Sequence, residues 1–284
     1  MEERRKRRKR SSIATEEEKR RGIQDLCLMD DRFMTACFDN QKPAVQLLLR
    51  IILGKPGLIV REVHVQHPLP NEHGRGLTLD IHAESEGVVY NCEVQNASGD
   101  SSPQRARYHG SLLDTHNLEK GEPFRKLPET YVIFITEQDK YGKGKPLYRF
   151  DRYSSDAGCA LEDELHIIYV NGRYRGDDEM GKLMSDFSCK DADKMNYTEL
   201  AQRVRYFKKT EDGGERMSNI FDTIESRAEK AGVEKGMKKG LEKGADRLGS
   251  LITKLLSQNR LDDVQKVSVD PAYREKLFKE LGIA

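Results

Sequence analysis

Residues 76–95 read GLTLDIHAESEGVVYNCEVQ, and this stretch decides the fold. Apolar and polar residues alternate from Leu77 to Ala83 and again from Val88 to Gln95, which is the two-residue period of a β-strand. Ser85-Glu86-Gly87 lies between the two runs and has the composition of a turn. The stretch therefore predicts a β-hairpin with one apolar and one polar face.

The polar face of this hairpin carries its charged residues. Directly opposed residues of an antiparallel pair point to the same side of the sheet. If the apolar residues of both strands share the core, Asp80 must lie on the other face together with Glu93 and Gln95. The pattern therefore brings two carboxylates and an amide together on one sheet surface.

Two neighbouring carboxylates repel each other, and burial adds to the cost of ionising them. A hard divalent cation removes both problems, and Mg²⁺ typically takes one or two carboxylates, waters and a substrate phosphate. The backbone carbonyl of Val94 can add a further oxygen. Such a cation is the minimum equipment for hydrolysis of a phosphodiester. Spacing alone leaves a second interpretation open, namely an exposed polar sheet face of the kind that hairpins commonly have.

The rest of the chain predicts further helices and strands around this hairpin. Strands followed by a helix and then more strands predict a mixed α+β sheet flanked by helices. The predicted helices cover residues 23–53 with a break at Asp39-Asn40, 103–120 after a cap at Ser101 or Ser102, 179–187 and 197–208. The predicted strands are Leu58–Val60 with Val63–Val65 before a loop over His67–Gly76, the hairpin, Thr130–Thr136 and His166–Val170.

Composition excludes several classes of protein. Charged residues make up 34% of the 284 residues, well above the usual quarter, so part of the chain is expected outside a packed core. No apolar run is long enough to span a bilayer, and no apolar segment follows the basic N-terminus as in a secretory signal. The five cysteines include no CxxC pair. We therefore interpret the chain as a cytoplasmic protein without disulfides or structural zinc.

The two ends of the chain differ from its middle. Seven of the 49 basic residues lie in residues 1–10, so residues 1–22 are expected to form a disordered basic arm that can add phosphate contacts. Residues 213–284 are expected to form a helical tail. Glycine recurs every fourth residue from Gly232 to Gly244, and each costs a helix about 1 kcal/mol against alanine. This segment is interpreted as a partly frayed linking helix, with self-association as the alternative.

Several stretches, in the hairpin and beyond it, resemble one family. They are MDDRFM from Met29, LLLRIILGK from Leu47, GLTLDIHAE from Gly76, YNCEVQ from Tyr90, PQRARYHGSLLD from Pro103, KGEPFRKLPETYVIFIT from Lys120 and IIYVNGRYRGDDEMGKLMSDF from Ile167. Together they resemble the Rpn family of recombination-promoting nucleases, also described as PD-(D/E)XK family transposases. The resemblance covers residues 24–210, so residues 23–212 are expected to form one nuclease domain.

The resemblance implies a restriction-endonuclease-like core, in the order α-β-β-β-α-β, with a helical C-terminal extension. It also implies Mg²⁺-dependent cleavage of DNA, with Mn²⁺ as a substitute. Asp80 matches the metal-binding aspartate and Glu93 matches the second acidic ligand. Gln95 stands where the wider superfamily has a lysine that orients water and offsets phosphate charge. Gln95 can hydrogen-bond a water or a phosphate, but it cannot supply charge.

Other residues extend the expected site. Asp30 and Asp31 match a family motif on the first helix, where an acidic residue can help to hold a metal, although capping of that helix explains them equally well. The helix after Gln95 offers Arg105, Arg107 and Tyr108 for contacts to the DNA backbone. The basic loop with Lys140, Lys143 and Lys145 is a further candidate.

Three functional hypotheses follow from the sequence. The first is a metal-dependent DNA endonuclease linked to recombination or transposition, with Asp80, Glu93 and Gln95 as its catalytic residues. The second is a catalytically weak or inactive DNA-binding module that keeps the nuclease fold, because Gln95 is uncharged. The third is an assembly protein that associates through residues 215–257.

Overall fold

The computed structural model describes residues 16–96 and 99–283. The predicted basic arm lies outside them up to residue 15, whereas residues 16–22 belong to the first helix, Glu16–Asp25. Contacts within the chain separate one unit up to Ile220 from a second unit that begins at Phe221. Each unit is described by itself.

The first unit consists of a sheet and the helices around it. Its helices are α1 Glu16–Asp25, α2 Asp31–Phe38, α3 Lys42–Leu53, α4 Pro103–Asn117, α5 Glu179–Ser188, α6 Thr198–Lys209 and the start of α7 Glu211–Ser257. Its strands are β1 Glu62–Leu69, β2 Leu77–Ser85, β3 Val88–Gln95, β4 Glu129–Thr136, β5 Leu147–Phe150, β6 Tyr153–Ser154, β7 Cys159–Ala160 and β8 Leu165–Asn171. Short 3₁₀ helices cover Phe124–Lys126 and Ala192–Lys194.

Six strands form one mixed sheet in the order β1-β2-β3-β4-β8-β5, and β6 pairs with β7. The first three strands are antiparallel, whereas β3, β4 and β8 run parallel and β5 is antiparallel to β8. Helix α4 connects the parallel strands β3 and β4. The elements from α3 to β4 therefore follow the order α-β-β-β-α-β that was expected for the core. The mixed α+β sheet flanked by helices is confirmed.

The predicted hairpin is confirmed, including its register. Ile81 pairs with Cys92 and Ala83 with Tyr90, which places these four apolar residues on one face. The predicted alternation of burial is not observed, because all residues of Leu79–Ala83 are buried. The reason is that α4 covers the polar face, so both sides of the hairpin are packed.

The first strand differs from its prediction at both ends. Leu58–Val60 is not a strand, because side chains of α3 take up its backbone groups: Arg50 Nε donates to Leu58 O at 2.8 Å and Val60 N donates to Gln46 Oε1 at 3.1 Å. At the other end β1 continues through residues 67–69, which were expected in a loop. His67 there pairs with Leu79, so pairing with β2 extends the strand.

Helix α4 places one edge of the site. Its N-cap is Ser102, whose Oγ accepts from Arg105 N at 3.3 Å, and Pro103 opens the first turn. The helix ends at Asn117, three residues earlier than predicted. Its buried residues join a hydrophobic cluster with the sheet, and burying one such leucine contributes about 1.5–3 kcal/mol. The cluster contains Leu69, Leu79, Val89, Ala106, Leu112, Leu113, Val132, Phe134, Leu165 and Tyr169.

The second unit is helical. It contains most of α7 and the helices α8 Leu261–Val269 and α9 Pro271–Glu280, which bury Leu251, Leu255, Val267, Leu277 and Phe278. The glycine repeat lies inside α7, a helix of 47 residues, and its partial fraying stays a prediction. Self-association through this helix stays a prediction. Within the part of the chain that the structure describes, no helix is long and apolar enough to cross a membrane.

Two adjacent glycines near the start of α7 predict opposite effects on stability. A Cβ at Gly213 would lie far inside contact distance of the Tyr206 carbonyl oxygen, whereas a Cβ at Gly214 would meet nothing within 4 Å. We expect Gly213→Ala to lower the free energy of unfolding by about 1–3 kcal/mol through overpacking. Gly214→Ala is the matched control and should raise it by up to about 1 kcal/mol. Urea unfolding of both variants measures the two signs, and equal signs would contradict the close approach.

Candidate active site

Asp80 and Glu93 lie on neighbouring strands and contact each other inside the protein. Beyond the pair Ile81–Cys92, the backbone N–H of Asp80 donates to Glu93 Oε1 at 3.2 Å. The N–H of Val94 donates in turn to Asp80 Oδ2 at 3.0 Å. Asp80 is 9% exposed and Glu93 is 0% exposed. The alternative of an exposed polar sheet face is therefore wrong, and the two carboxylates form a buried acidic pair.

Burial makes this acidic pair hard to ionise. It raises the pKa of Glu93 to about 8, and the charge of Asp80 adds to the rise. Burial also raises the pKa of Asp80 to about 6, followed by repulsion from Asp31. The hydrogen bonds from Val94 and Gln66 and the charge of Arg105 act in the opposite direction. Metal-free protein therefore holds protons on this pair at a pH where exposed carboxylates are ionised.

The donor set of the acidic pair fits a hard divalent cation. Both side chains offer carboxylate oxygens, and a cation between them would relieve the repulsion that raises their pKa values. Among residues 16–96 and 99–283, no group of three or more His, Cys, Asp or Glu side chains is arranged to hold a metal ion. The fit is therefore to an ion that takes two protein carboxylates and completes its shell with water and substrate, as Mg²⁺ commonly does.

Gln66 is a part of the site that the sequence did not reveal. Its side-chain Nε2 donates to Asp80 Oδ1 at 3.3 Å and to Thr35 Oγ1 of α2 at 3.2 Å. Its backbone has φ 49°, an uncommon conformation for a residue other than glycine, within a strand. Such strain is frequent beside functional groups. No pattern in the sequence indicates a positive φ at a glutamine, so this contact could not be predicted.

The two candidate acids on the first predicted helix behave differently. The charge of Asp31 acts on Asp80 and raises its pKa, so the structure brings Asp31 into range of the pair. Asp30 instead accepts from the N–H of Cys27 at 2.7 Å and stabilises the turn before α2. Asp30 is the N-cap residue of α2, but its side chain makes no cap hydrogen bond to that helix. Asp31 is the acid near the site.

The three residues predicted to bind DNA point in different directions. Arg105 turns inward and forms an ion pair with Glu93, with 2.9 Å between Nη2 and Oε2. Tyr108 donates from its hydroxyl to the carbonyl of Arg75 and accepts from Asn71 Nδ2 at 3.1 Å, so it anchors the loop between β1 and β2. Arg107 is exposed on the outer side of α4.

Two buried residues support this arrangement. His109 is fully buried, and its Nδ1 lies 2.9 Å from Asn91 Nδ2. Arg105 Nε donates to His109 Nε2 at 3.2 Å. Burial lowers the pKa of His109 to about 4, and the charge of Arg105 lowers it further, so the ring is neutral at physiological pH. Helical spacing of Arg105 and His109 is the one sequence signal for this pair, because residues i and i+4 share a helix face.

The basic loop after β4 borders the same edge of the sheet. Glu137 N donates to Gln95 O at 2.9 Å, and Lys140 Nζ donates to Ser101 Oγ at 3.2 Å beside the start of α4. Asp139 orders the loop, since its carboxylate accepts from Gly142 N at 3.0 Å and Gly144 N at 2.8 Å. Lys143 and Lys145 are exposed. The loop therefore adds positive charge beside the acidic pair.

The mixed sheet and its helices have the element order of a PD-(D/E)XK nuclease fold. Residues 39–173 match the profile of the family described as PD-(D/E)XK nuclease family transposase. The matched segment runs from the end of α2 to just beyond β8 and includes Asp80, Glu93 and Arg105, and it is similar to that family. The resemblance drawn from the sequence is confirmed for the matched residues. In the same comparisons, no curated protein and no solved structure matches the chain.

Proposed function

We propose that this core is a metal-dependent DNA endonuclease that hydrolyses phosphodiester bonds in recombination or transposition. The observation that carries the proposal is the buried acidic pair, in which Asp80 N donates to Glu93 Oε1 at 3.2 Å. Two carboxylates with raised pKa values are an unfavourable arrangement for stability alone, and this is a frequent mark of a functional site. The family match of residues 39–173 supports the same activity.

Asp80 and Glu93 are the residues that would hold Mg²⁺, or Mn²⁺ in its place. The carbonyl of Val94 is the proposed third protein ligand, because in an extended strand it points to the same side as its own N–H, which donates to Asp80. Asp31 is a further acidic residue near the site. When bound, the ion supplies positive charge to the phosphate and activates water for attack. Gln95 is proposed to orient that water through its amide.

The proposed substrate track crosses the edge of the sheet where the acidic pair lies. Arg105 and Arg107 on α4 and the basic loop provide cations for the phosphate backbone, and Tyr108 holds the loop that carries Arg75. Base readout is not needed for such contacts, because phosphate contacts position the duplex without reading sequence.

Incubation of purified full-length protein with supercoiled plasmid tests the proposal. We expect nicked or linear DNA with Mg²⁺ or Mn²⁺ and intact plasmid with chelator. Intact plasmid in every lane, together with salt-dependent DNA binding, would support the alternative of an inactive DNA-binding module instead.

DNA binding predicts a second, independent measurement. We expect Arg107→Gln and Lys143→Gln each to weaken DNA binding similarly for all sequences, and each to reduce the slope of log affinity against log salt by about 1. Fluorescence anisotropy in chelator at several salt concentrations measures both quantities without cleavage. Lys120→Gln is the control. This exposed lysine precedes the start of β4, whereas the basic loop follows the end of that strand. A lower slope in the Lys120 variant alone would place the track elsewhere.

A further inference from the structure

Arg105 lies in the first turn of α4, yet it does not extend into solvent as a surface arginine would. Its side chain is 28% exposed and donates four hydrogen bonds. Nη2 donates to Glu93 Oε2 at 2.9 Å, Nη1 to Gln95 Oε1 at 3.1 Å and to Asp100 O at 2.8 Å, and Nε to His109 Nε2 at 3.2 Å. The guanidinium thus joins the second acid of the pair to Gln95.

The contacts of Arg105 fix the position of its guanidinium and determine which of its N–H groups can bind a ligand. His109 Nε2 must carry a lone pair to accept from Arg105 Nε, so the proton of the neutral ring lies on Nδ1, which faces the side-chain amide of Asn91. A guanidinium has five N–H groups, and four of them donate to residues that the structure describes. One N–H of Nη2 has no acceptor among residues 16–96 and 99–283, and we infer that it serves a ligand beside the acidic pair. The planar fork of arginine is well suited to an oxygen of a phosphate.

Hydrolysis of a phosphodiester needs positive charge close to the phosphate oxygens. The oxygen of water forms a bond to phosphorus, one ester P–O bond breaks, and the departing oxygen takes up a proton while the water loses one. Negative charge builds on the phosphate oxygens midway, and preorganised donors that face it lower the barrier. Gln95 contacts the site but carries no charge, so its amide cannot perform this task.

We propose that Arg105 is the catalytic cation of this site, held against Gln95 by His109 and aimed at the phosphate that is cleaved. The inference rests on the proposed nuclease activity and goes beyond a general role of Arg105 in DNA binding. It also assigns a positioning role to His109, which does not touch the substrate. Arg107, two residues further along α4, is exposed and contributes to binding alone.

The proposal can be tested by moving the positive charge from position 105 to position 95. Gln95 Oε1 lies 3.1 Å from Arg105 Nη1, so a lysine at position 95 would place its ammonium close to the present guanidinium. We expect Arg105→Gln to lower kcat by about 10²–10³-fold at saturating Mg²⁺. The double variant Gln95→Lys/Arg105→Gln should recover at least tenfold of that loss. Lys120→Gln is the control, with kcat near the wild-type value, because this exposed lysine lies outside the proposed DNA track.

Two further readouts separate catalysis from structure. Anisotropy in chelator should show the DNA affinity of Arg105→Gln within about tenfold of wild type, and thermal unfolding should show that all variants are folded. His109→Gln should lower kcat and be improved less than Arg105→Gln by the lysine at position 95, since that lysine does not replace the lost support. These results together would establish the role of Arg105.

Each contrary outcome has a distinct meaning. Cleavage by Arg105→Gln at a rate near that of wild type would overturn the proposal for Arg105 and leave the nuclease function standing. A large loss without any recovery in the double variant would also overturn it, because position 95 would then be unable to replace the guanidinium. Absence of cleavage by the wild-type protein with both metals would remove the proposed function and this inference together.

Discussion

Asp80→Asn and Glu93→Gln are each expected to abolish DNA cleavage while the protein stays folded. Both substitutions keep the size of the side chain and one oxygen acceptor, so the hydrogen bonds from Val94 N and Asp80 N can remain. What they remove is the negative charge that a divalent cation requires. Since the ion supplies both charge stabilisation and the attacking nucleophile, we expect a loss on the order of 10³-fold or more. The rate of nicking of supercoiled plasmid at saturating Mg²⁺ measures it.

A control on the same hairpin distinguishes this loss from general damage. Glu86 lies in the turn between β2 and β3, where its side chain is 73% exposed and pairs with Arg61. Glu86→Gln should cleave DNA like the wild-type protein. Binding of DNA in chelator should be unchanged or stronger in the Asp80 and Glu93 variants, because they remove negative charge from the track. Normal cleavage by either variant would exclude the acidic pair as the catalytic centre.

The sequence predicted the part of the site that depends on strand periodicity. A period of two places Asp80 and Glu93 on one face whenever the apolar residues of both strands share the core, and the pair Ile81–Cys92 confirms that register. Burial of that face did not follow from the hairpin, because it depends on α4. The packing of Ala106, His109 and Gly110 against the sheet, which excludes water from the face, is a tertiary contact that no local pattern encodes.

The inward turn of Arg105 was missed for a related reason. An arginine in the first turn of a helix has the pattern of a surface residue, and its choice of partner depends on side-chain torsions. The same limit applies to Gln66, whose backbone is left-handed and whose side-chain amide connects Thr35 of α2 to Asp80. In contrast, the apolar spacing beside the glycine repeat was enough to predict a helix, and α7 runs from Glu211 to Ser257.

The acidic pair also predicts how stability depends on pH. Both pKa values in the folded protein lie above the ordinary values of 3.8 for Asp80 and 4.5 for Glu93. The folded protein therefore binds more protons than the unfolded chain over this range, and stability falls as the pH rises. The contribution is fully present below about pH 4 and is lost as the pH passes the folded values of about 6 and about 8.

Metal-free wild-type protein is accordingly expected to lose a few kcal/mol of unfolding free energy between pH 4.5 and 8.5, relative to Glu93→Gln. The amide of that variant cannot ionise, so its profile should be flatter and it should be the more stable protein at pH 8. Urea unfolding in chelator across this range measures the difference, with Glu86→Gln as the exposed control.

Mg²⁺ should reverse the order of the two proteins. An ion that binds only the folded state adds RT ln(1 + [Mg²⁺]/Kd) to stability, and this gain requires the charges that Glu93→Gln lacks. We expect the wild-type protein to gain stability with Mg²⁺ at pH 8, where binding releases the protons that the pair holds, and to gain much less at pH 5. Equal gains in wild type and Glu93→Gln would place the ion away from Glu93. Because unfolding is measured without DNA, this result locates the metal independently of cleavage.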